Sequence, residues 1–264
     1  MGMQADGHAK QSRKWAGGKG LGSEQIVLLL LGGLAAGLVN GLTGFGTAIT
    51  ALPIWLYVLS PTAASTLAII CAMVAQLQTL PMIWPHIRWR LALPLVIPGV
   101  IGVPVGTLLL PLIEPKFFRL GVALFLIAYS GYVLLRRGAT KPVHGGKFAD
   151  GVVGFGGGVL GGLAGVPGVL PIVWTDFRGW SKELRRGVVQ TFNLATVTCA
   201  VATHALTGLL TRQVALQAAI VLPGSIAGVW LGAFAYRRLA DHNYQRAVML
   251  FLLASGVVLL CTSW

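Results

Sequence analysis

Six apolar runs, at residues 62–84, 91–113, 117–135, 187–210, 214–236 and 247–261, are free or nearly free of charge over their interiors. Each approaches the roughly 20 residues that a helical bilayer crossing needs. No feature constrains the fold more. Backbone N–H and C=O groups in hydrocarbon must be paired within the chain, so apolar segments of this length become helices. Composition agrees: 55% of the 264 residues are hydrophobic and 10% charged, and mean hydropathy is +0.78. Soluble domains carry about 25% charged residues.

Two further apolar stretches, 26–59 and 151–174, are rich in glycine. With each counted as one crossing, the fold class is an all-α integral membrane protein of about eight spans. The net charge of +13 does not point to nucleic acid, because the basic residues lie in short connections. Lys10, Arg13, Lys14 and Lys19 precede the first apolar run, and Arg136, Arg137, Lys141 and Lys147 follow the run at 117–135. The positive-inside rule assigns both groups to the cytoplasm. The basic segment 1–24 reads as an uncleaved cytoplasmic tail, since the apolar run after it is too long for a signal peptide and lacks a small-residue cleavage site. Cys71, Cys199 and Cys261 fall in spans with no metal-binding spacing, and read as small packing residues.

The chain repeats itself. "VIPGVIGVPVG" at 96–106 has a counterpart in "VLPGSIAGVWLG" at 221–232. With Pro98 set on Pro223, an offset of 125 runs back without a gap to Pro61 on Arg186. Forward, "LFLIAYSGYVLL" at 124–135 matches "LFLLASGVVLL" at 250–260 with one residue of slip. "GLTGFGTAITALPI" at 41–54 resembles the shorter "GLAGVPGVLPI" at 162–172. Fixed-offset similarity of this kind is the mark of duplication. The expected organisation is a first transmembrane repeat at 25–135, a basic cytoplasmic linker at 136–149 and a second repeat at 150–264. Each repeat is a broken Gly-rich helical segment plus three transmembrane helices.

A helix meant only to fill a bilayer has no use for "NGLTGFGTAITALP" at 40–53. Paired Gly/Pro-interrupted segments at corresponding positions are how many secondary transporters build a midplane substrate site. Glycine lets a ligand approach the backbone, and a helix restarting after a break presents unpaired N–H groups and a positive dipole end to an anion. The candidate substrate-binding residues are Asn40, Thr43, Gly44, Phe45, Gly46 and Thr47 in the first repeat. In the second they are Gly165, Val166, Pro167 and Gly168, with Gln190 and Asn193 on the following span. Pro53 and Pro171 are expected to end or bend the short segments after the breaks. Gly102, Gly106, Gly228 and Gly232 read instead as helix-packing glycines, so Gly102→Ala is expected to matter far less than substitution at a break.

Other polar residues in the spans are Gln76, Gln78, Thr79, Thr191, Thr196, Thr198 and His204. Gln190, Asn193 and Val197 share one helix face, and interhelical hydrogen bonding is the competing explanation for the amides. All seven acidic residues lie in the tail or near span ends. A cation site or proton relay usually needs a mid-membrane carboxylate, so the absence suits an anion. Arg178, Lys182, Arg185 and Arg186 cluster before the span at 187–210, as topogenic charge or as the lining of an entry funnel. Parallel halves would leave this cluster outside; a re-entrant second glycine-rich segment would return it to the cytoplasm.

With these residues in view, the chain resembles the sulfite exporter TauE/SafE family of small duplicated permeases. The resemblance rests on "GLVNGLTGFGTAITALP" with "SPTAASTLA", on "GVLGGLAGVPGVLPIV" with "RRGVVQTFNLAT", and on "LPGSIAGVWLGAFAYRRL". It implies seven or eight spans and transport of sulfite, organosulfonates or related small sulfur-containing anions. The expectation is a multi-pass permease of the cell membrane, a bacterial inner membrane, with a small anionic substrate and the lipid bilayer as partners. No cofactor, metal or nucleic acid is expected, and a homo-oligomer is compatible with the sequence. An anion channel or a non-transporting membrane scaffold is the alternative. An enzyme is disfavoured, because the chain has no HExxH, no GxSxG and no buried His with a nearby carboxylate in sequence.

Overall fold

The structure is a computed structural model, and it describes residues 23–84, 87–135, 145–236 and 241–262. Among the described residues the regular elements are all helical. They are α1 (Ser23–Thr43), α2 (Thr47–Trp55), α3 (Pro61–Ile83), α4 (Trp89–Leu109, extended by a 3-10 turn at Leu110–Leu112) and α5 (Pro115–Leu135), followed by α6 (Lys147–Ala164), α7 (Val169–Phe177), α8 (Lys182–Leu206), α9 (Arg212–Tyr236) and α10 (Asp241–Thr262). Five of these helices, α1, α3, α4, α5 and α9, are long and apolar enough to cross a membrane. Their outward side chains include Ile101, Leu108, Trp230 and Phe234, all exposed. An apolar surface of that extent is a lipid-facing one.

The two glycine-rich stretches are not single broken spans. Each is a hairpin. After the break, α2 runs back along α1: Asn40 Nδ2 donates to Thr47 Oγ1 at 2.8 Å, Trp55 Nε1 to the Leu29 carbonyl at 3.3 Å, and Gln25 Nε2 to the Val58 carbonyl at 3.2 Å. The residue numbers rise on one arm as they fall on the other. The second hairpin closes in the same way, with Gly161 against Pro167 at its tip and Trp174 Nε1 donating to Asp150 Oδ1 at 2.7 Å near its base. A serine then restarts a long helix after each. Ser60 Oγ accepts from Ala63 N–H and Ser181 Oγ from Leu184 N–H, both at 3.3 Å. Such N-caps satisfy one of the orphan donors of a first turn.

The longest helix–helix seams join the two halves of the chain. Gly37 and Gly41 of α1 face the main chain at Ser225 and Val229 of α9, while Gly228 and Gly232 of α9 face Leu34 and Leu38 of α1. Between α6 and α4, Gly154, Gly158 and Gly162 meet Leu95, Gly99 and Val103, and Gly102 and Gly106 meet Phe155 and Val159. The residue numbers climb together across both seams, so each pair runs parallel. At each of these positions the first atom a Cβ would meet is a main-chain oxygen of the partner helix. These are small-residue contacts that let backbones approach. The expectation that Gly102→Ala is mild needs correcting, because its methyl would be driven into the Phe155 carbonyl.

Side-chain pairs fix the remaining directions. Thr66 beside His204 and Met73 beside Thr198 make α3 and α8 antiparallel. Gly157 beside Phe192 and Gly162 beside His204 make α6 and α8 parallel. Since the first hairpin returns to its own starting end, α1 and α3 share a direction, and α1 and α6 start from opposite ends of the bundle. The charge rule alone assigns the basic tail and the basic linker to one compartment; the geometry sets their attachment points, Ser23 and Lys147, at opposite ends. The tail and residues 136–144 lie outside the described residues.

Candidate functional site

The tips of the two hairpins meet inside the bundle, where a Cβ on Gly165 would stand 3.3 Å from Ala48 Cβ. Between them is a cavity of about 30 Å³, walled by the two tips and by one face each of α3 and α8. Its position follows from local chain chemistry. Gly44 and Gly46 have φ of +79° and +96°, and Gly165 has φ of +69°. L side chains are strained in that region, so glycine is what allows the helices to stop and restart there.

The breaks are not electrically symmetric about themselves. At the end of α6 the outgoing carbonyls are taken up: Gly161 accepts from Gly165 N–H, Leu160 from Val166 N–H, Gly162 from His204 Nε2 at 2.9 Å and Leu163 from Ser65 Oγ at 3.0 Å. At the end of α1, Asn40 O accepts from Gly44 N–H, and the Thr43 hydroxyl lies within bonding distance of the Val39 and Phe45 carbonyls. The restarting helices do the opposite. Thr47, Ala48 and Ile49 of α2, and Val169 of α7, line the cavity with their first turns. First-turn N–H groups have no intrahelical partner and carry the positive end of the helix dipole. The cavity thus receives two helix N-termini, while the carbonyls of Asn40 and of Leu160 to Leu163 are bonded elsewhere.

Three amides complete the wall: Asn40 at 1% exposure, Gln76 at 3% and Asn193 at 3%. Asn40 Oδ1, Gln76 Oε1 and Asn193 Oδ1 have no hydrogen-bond partner within the protein. Buried polar atoms are rarely left so. Rotating a terminal amide by 180° exchanges N and O without changing its shape, so each can turn a donor inward. None of the lining residues is charged; Ala72, Val166, Val197 and Ile49 supply apolar surface.

Of the residues singled out in the sequence, Asn40, Phe45, Gly46, Thr47, Gly165, Val166, Pro167, Gly168 and Asn193 line the cavity. Thr43, Gly44 and Gln190 are not among its lining residues. A Cβ on Gly44 would lie 2.8 Å from Gln190 Nε2, and the buried Gln190 amide has neither of its polar atoms bonded. Gln76 is the lining amide that sequence reasoning missed. It was visible only as one polar interruption among several, and the repeat offset sets it opposite an apolar residue, Val201. Pro171 also differs from expectation. It occupies the first turn of α7, where a missing N–H costs nothing, rather than ending the segment. Pro53 lies within α2, which ends two residues later at Trp55.

The cation cluster divides. Arg178 donates to Asp150 Oδ1 at 2.8 Å and Arg185 to Asp176 Oδ1 at 2.6 Å, tying the starts of α6 and α8 to the end of α7. Arg186 lies beside the first break, with its Nε 3.8 Å from the Cβ position of Gly44.

Fold and cavity together define a multi-pass membrane protein built around interrupted helices. The sequence profile of the family described as "Sulfite exporter TauE/SafE" matches residues 29–259, and the chain belongs to that family. It is a family of transporters. No curated protein and no solved structure matches the chain.

Proposed function

We propose that the protein is a secondary transporter for a compact sulfur oxyanion such as sulfite, held between the two hairpin tips. One observation carries the reading: two helix N-termini and three buried, partly unbonded amides converge on an uncharged cavity. Helix N-termini, and amides turned to present their N–H groups, suit an anion. Size narrows the class. A cavity needs about 10–15 Å³ on this measure to hold one water, so about 30 Å³ corresponds to two or three water-sized bodies. That favours sulfite over the longer organosulfonates.

The architecture in this reading is two repeats of opposite orientation, each a re-entrant hairpin and three helices. Its support is the repeated element order, the opposite directions of α1 and α6, and the matching glycine seams α1–α9 and α4–α6. Among the described residues, the end where α6 starts carries Arg88, Arg90, Lys147, Arg178, Arg185 and Arg186, against Lys116, Arg119 and Arg212 at the other. By the positive-inside rule the first end is cytoplasmic.

The test is counterflow. Proteoliposomes preloaded with unlabelled sulfite receive labelled sulfite outside, with taurine, sulfoacetate, sulfate and chloride as competitors. Transient accumulation, competed by sulfite and weakly by taurine, is the expected result. Flux without overshoot would identify a channel, and no flux from correctly folded protein would remove the sulfite assignment.

A further inference from the structure

We propose that one face of α8, Arg186–Gln190–Asn193, is the route by which the anion enters the cavity, and that it serves the arginine-bearing end only. The inference rests on the reading of the cavity as an anion site. These positions are four and three residues apart, hence stacked along one helix face. Each abuts a glycine of a break. Arg186 and Gln190 lie against Gly44, and Asn193 lies against Gly168, with its Oδ1 2.5 Å and Nδ2 2.7 Å from where a Cβ would be. Gln190 is 2% exposed, and both polar atoms of its amide are unbonded. Buried amides are rarely left unbonded, and a passing anion would supply the Gln190 amide with a partner. The steps run from the Arg186 guanidinium, through one amide, to a second amide that lines the cavity.

Among the described residues, α3 carries no such ladder toward the other end of the bundle. The sequence offset of 125 sets Arg186, Gln190 and Asn193 opposite Pro61, Ser65 and Ala68 of α3. Pro61 and Ala68 offer no polar side chain, and the Ser65 hydroxyl is committed to the Leu163 carbonyl. His204 bonds Thr66 and the Gly162 carbonyl close by, joining α3, α6 and α8 on that side. The repeats share a backbone plan, whereas the polar path exists in one copy.

Labelled-sulfite uptake by right-side-out and inverted membrane vesicles containing the full-length chain tests this. In inverted vesicles, which present the cytoplasmic face, Arg186→Gln raises the half-saturation concentration at least 10-fold, and Arg186→Lys restores most of it. Gln190→Leu, which keeps the volume and removes the amide, shifts the same face. In right-side-out vesicles the same variants shift the half-saturation concentration clearly less than in inverted ones, and Arg212→Gln, a charge change at the opposite end, alters neither face. An unshifted Arg186→Gln in inverted vesicles, or equal shifts on both faces, overturns the route while leaving the carrier reading standing. Absence of sulfite flux in the parent chain overturns both.

Discussion

Gly168→Ala isolates the cavity from the fold. Gly168 caps the start of α7 with φ −75° and ψ −13°, which alanine adopts without strain. The added methyl, however, would lie 2.5 Å from Asn193 Oδ1. Carbon contacts prefer about 3.5 Å or more, so the Asn193 amide must retreat by roughly 1 Å. Stability should change little, since alanine in place of glycine at an N-cap costs about 1 kcal/mol or less. Transport should suffer more. A hydrogen bond to a charged group contributes about 1.5–3 kcal/mol, which sets the expected loss of sulfite transport efficiency at roughly 10- to 150-fold. The assay is counterflow in proteoliposomes, run beside thermal unfolding of the purified protein, for Gly168→Ala, Asn193→Ala and the double variant. Asn193→Ala should lose activity to a similar degree, and adding Gly168→Ala to it should do no further harm, because the obstructed group is already gone. Interacting positions of this kind are non-additive. Parental flux in stable Gly168→Ala protein, or losses that simply multiply in the double variant, would refute the placement of Asn193 at the substrate.

Gly44→Leu and Gly46→Leu, both at positive φ, should abolish counterflow while the protein still reaches the membrane; unchanged flux in either would exclude the break as the site. His204→Ala strips the Gly162 carbonyl of its partner, and a buried acceptor left so costs about 1–3 kcal/mol, to be read as a lower thermal midpoint. Gly158→Leu should prevent accumulation of folded protein, because its Cβ meets the main chain of Gly99, whereas Gly121→Leu on α5, with nothing within 4 Å, should be tolerated. Equal yields of these two variants would argue against the α4–α6 seam.

Much of the fold is legible because bilayer physics leaves few choices. Uncharged apolar runs mark the long helices, and "GLTGFG" with "GLAGVPG" marks where helices stop. Direction is a different matter. Hydropathy reports depth and not heading, so nothing in 26–59 says that α2 turns back; the reversal depends on Trp55 and Val58 finding Leu29 and Gln25. Partner choice is equally hidden. Gly37, Gly41, Gly228 and Gly232 advertise close packing, but a small-residue stripe fits many surfaces, and only the assembled bundle pairs α1 with α9. Gln76 escaped because its significance is spatial: one turn beyond Ala72 on α3, it faces tips contributed by residues some 30 positions earlier and 90 later.

An uncharged cavity served by a cation at a distance is a workable compromise for moving an anion. Arg186 and Asn193 are seven residues apart, about 10 Å along the helix. Opposite unit charges at that separation attract by about 1.7 kcal/mol at an effective dielectric of 20, against about 4 kcal/mol at 4 Å. The larger figure, applied inside the cavity, would hold the ion too firmly for conduction, which needs binding favourable enough to enter and weak enough to leave. Helix N-termini contribute about 0.3–1 kcal/mol each when exposed and up to about 2 when partly buried. Two of them with a few amide donors can offset part of the ion's lost hydration without creating a trap. The same reasoning explains why the carboxylates Asp150 and Asp176 stay at the arginine end, bound to Arg178 and Arg185. There they hold the bases of the hairpin and α8 together; one turn or two deeper, either would repel the anion proposed for the cavity.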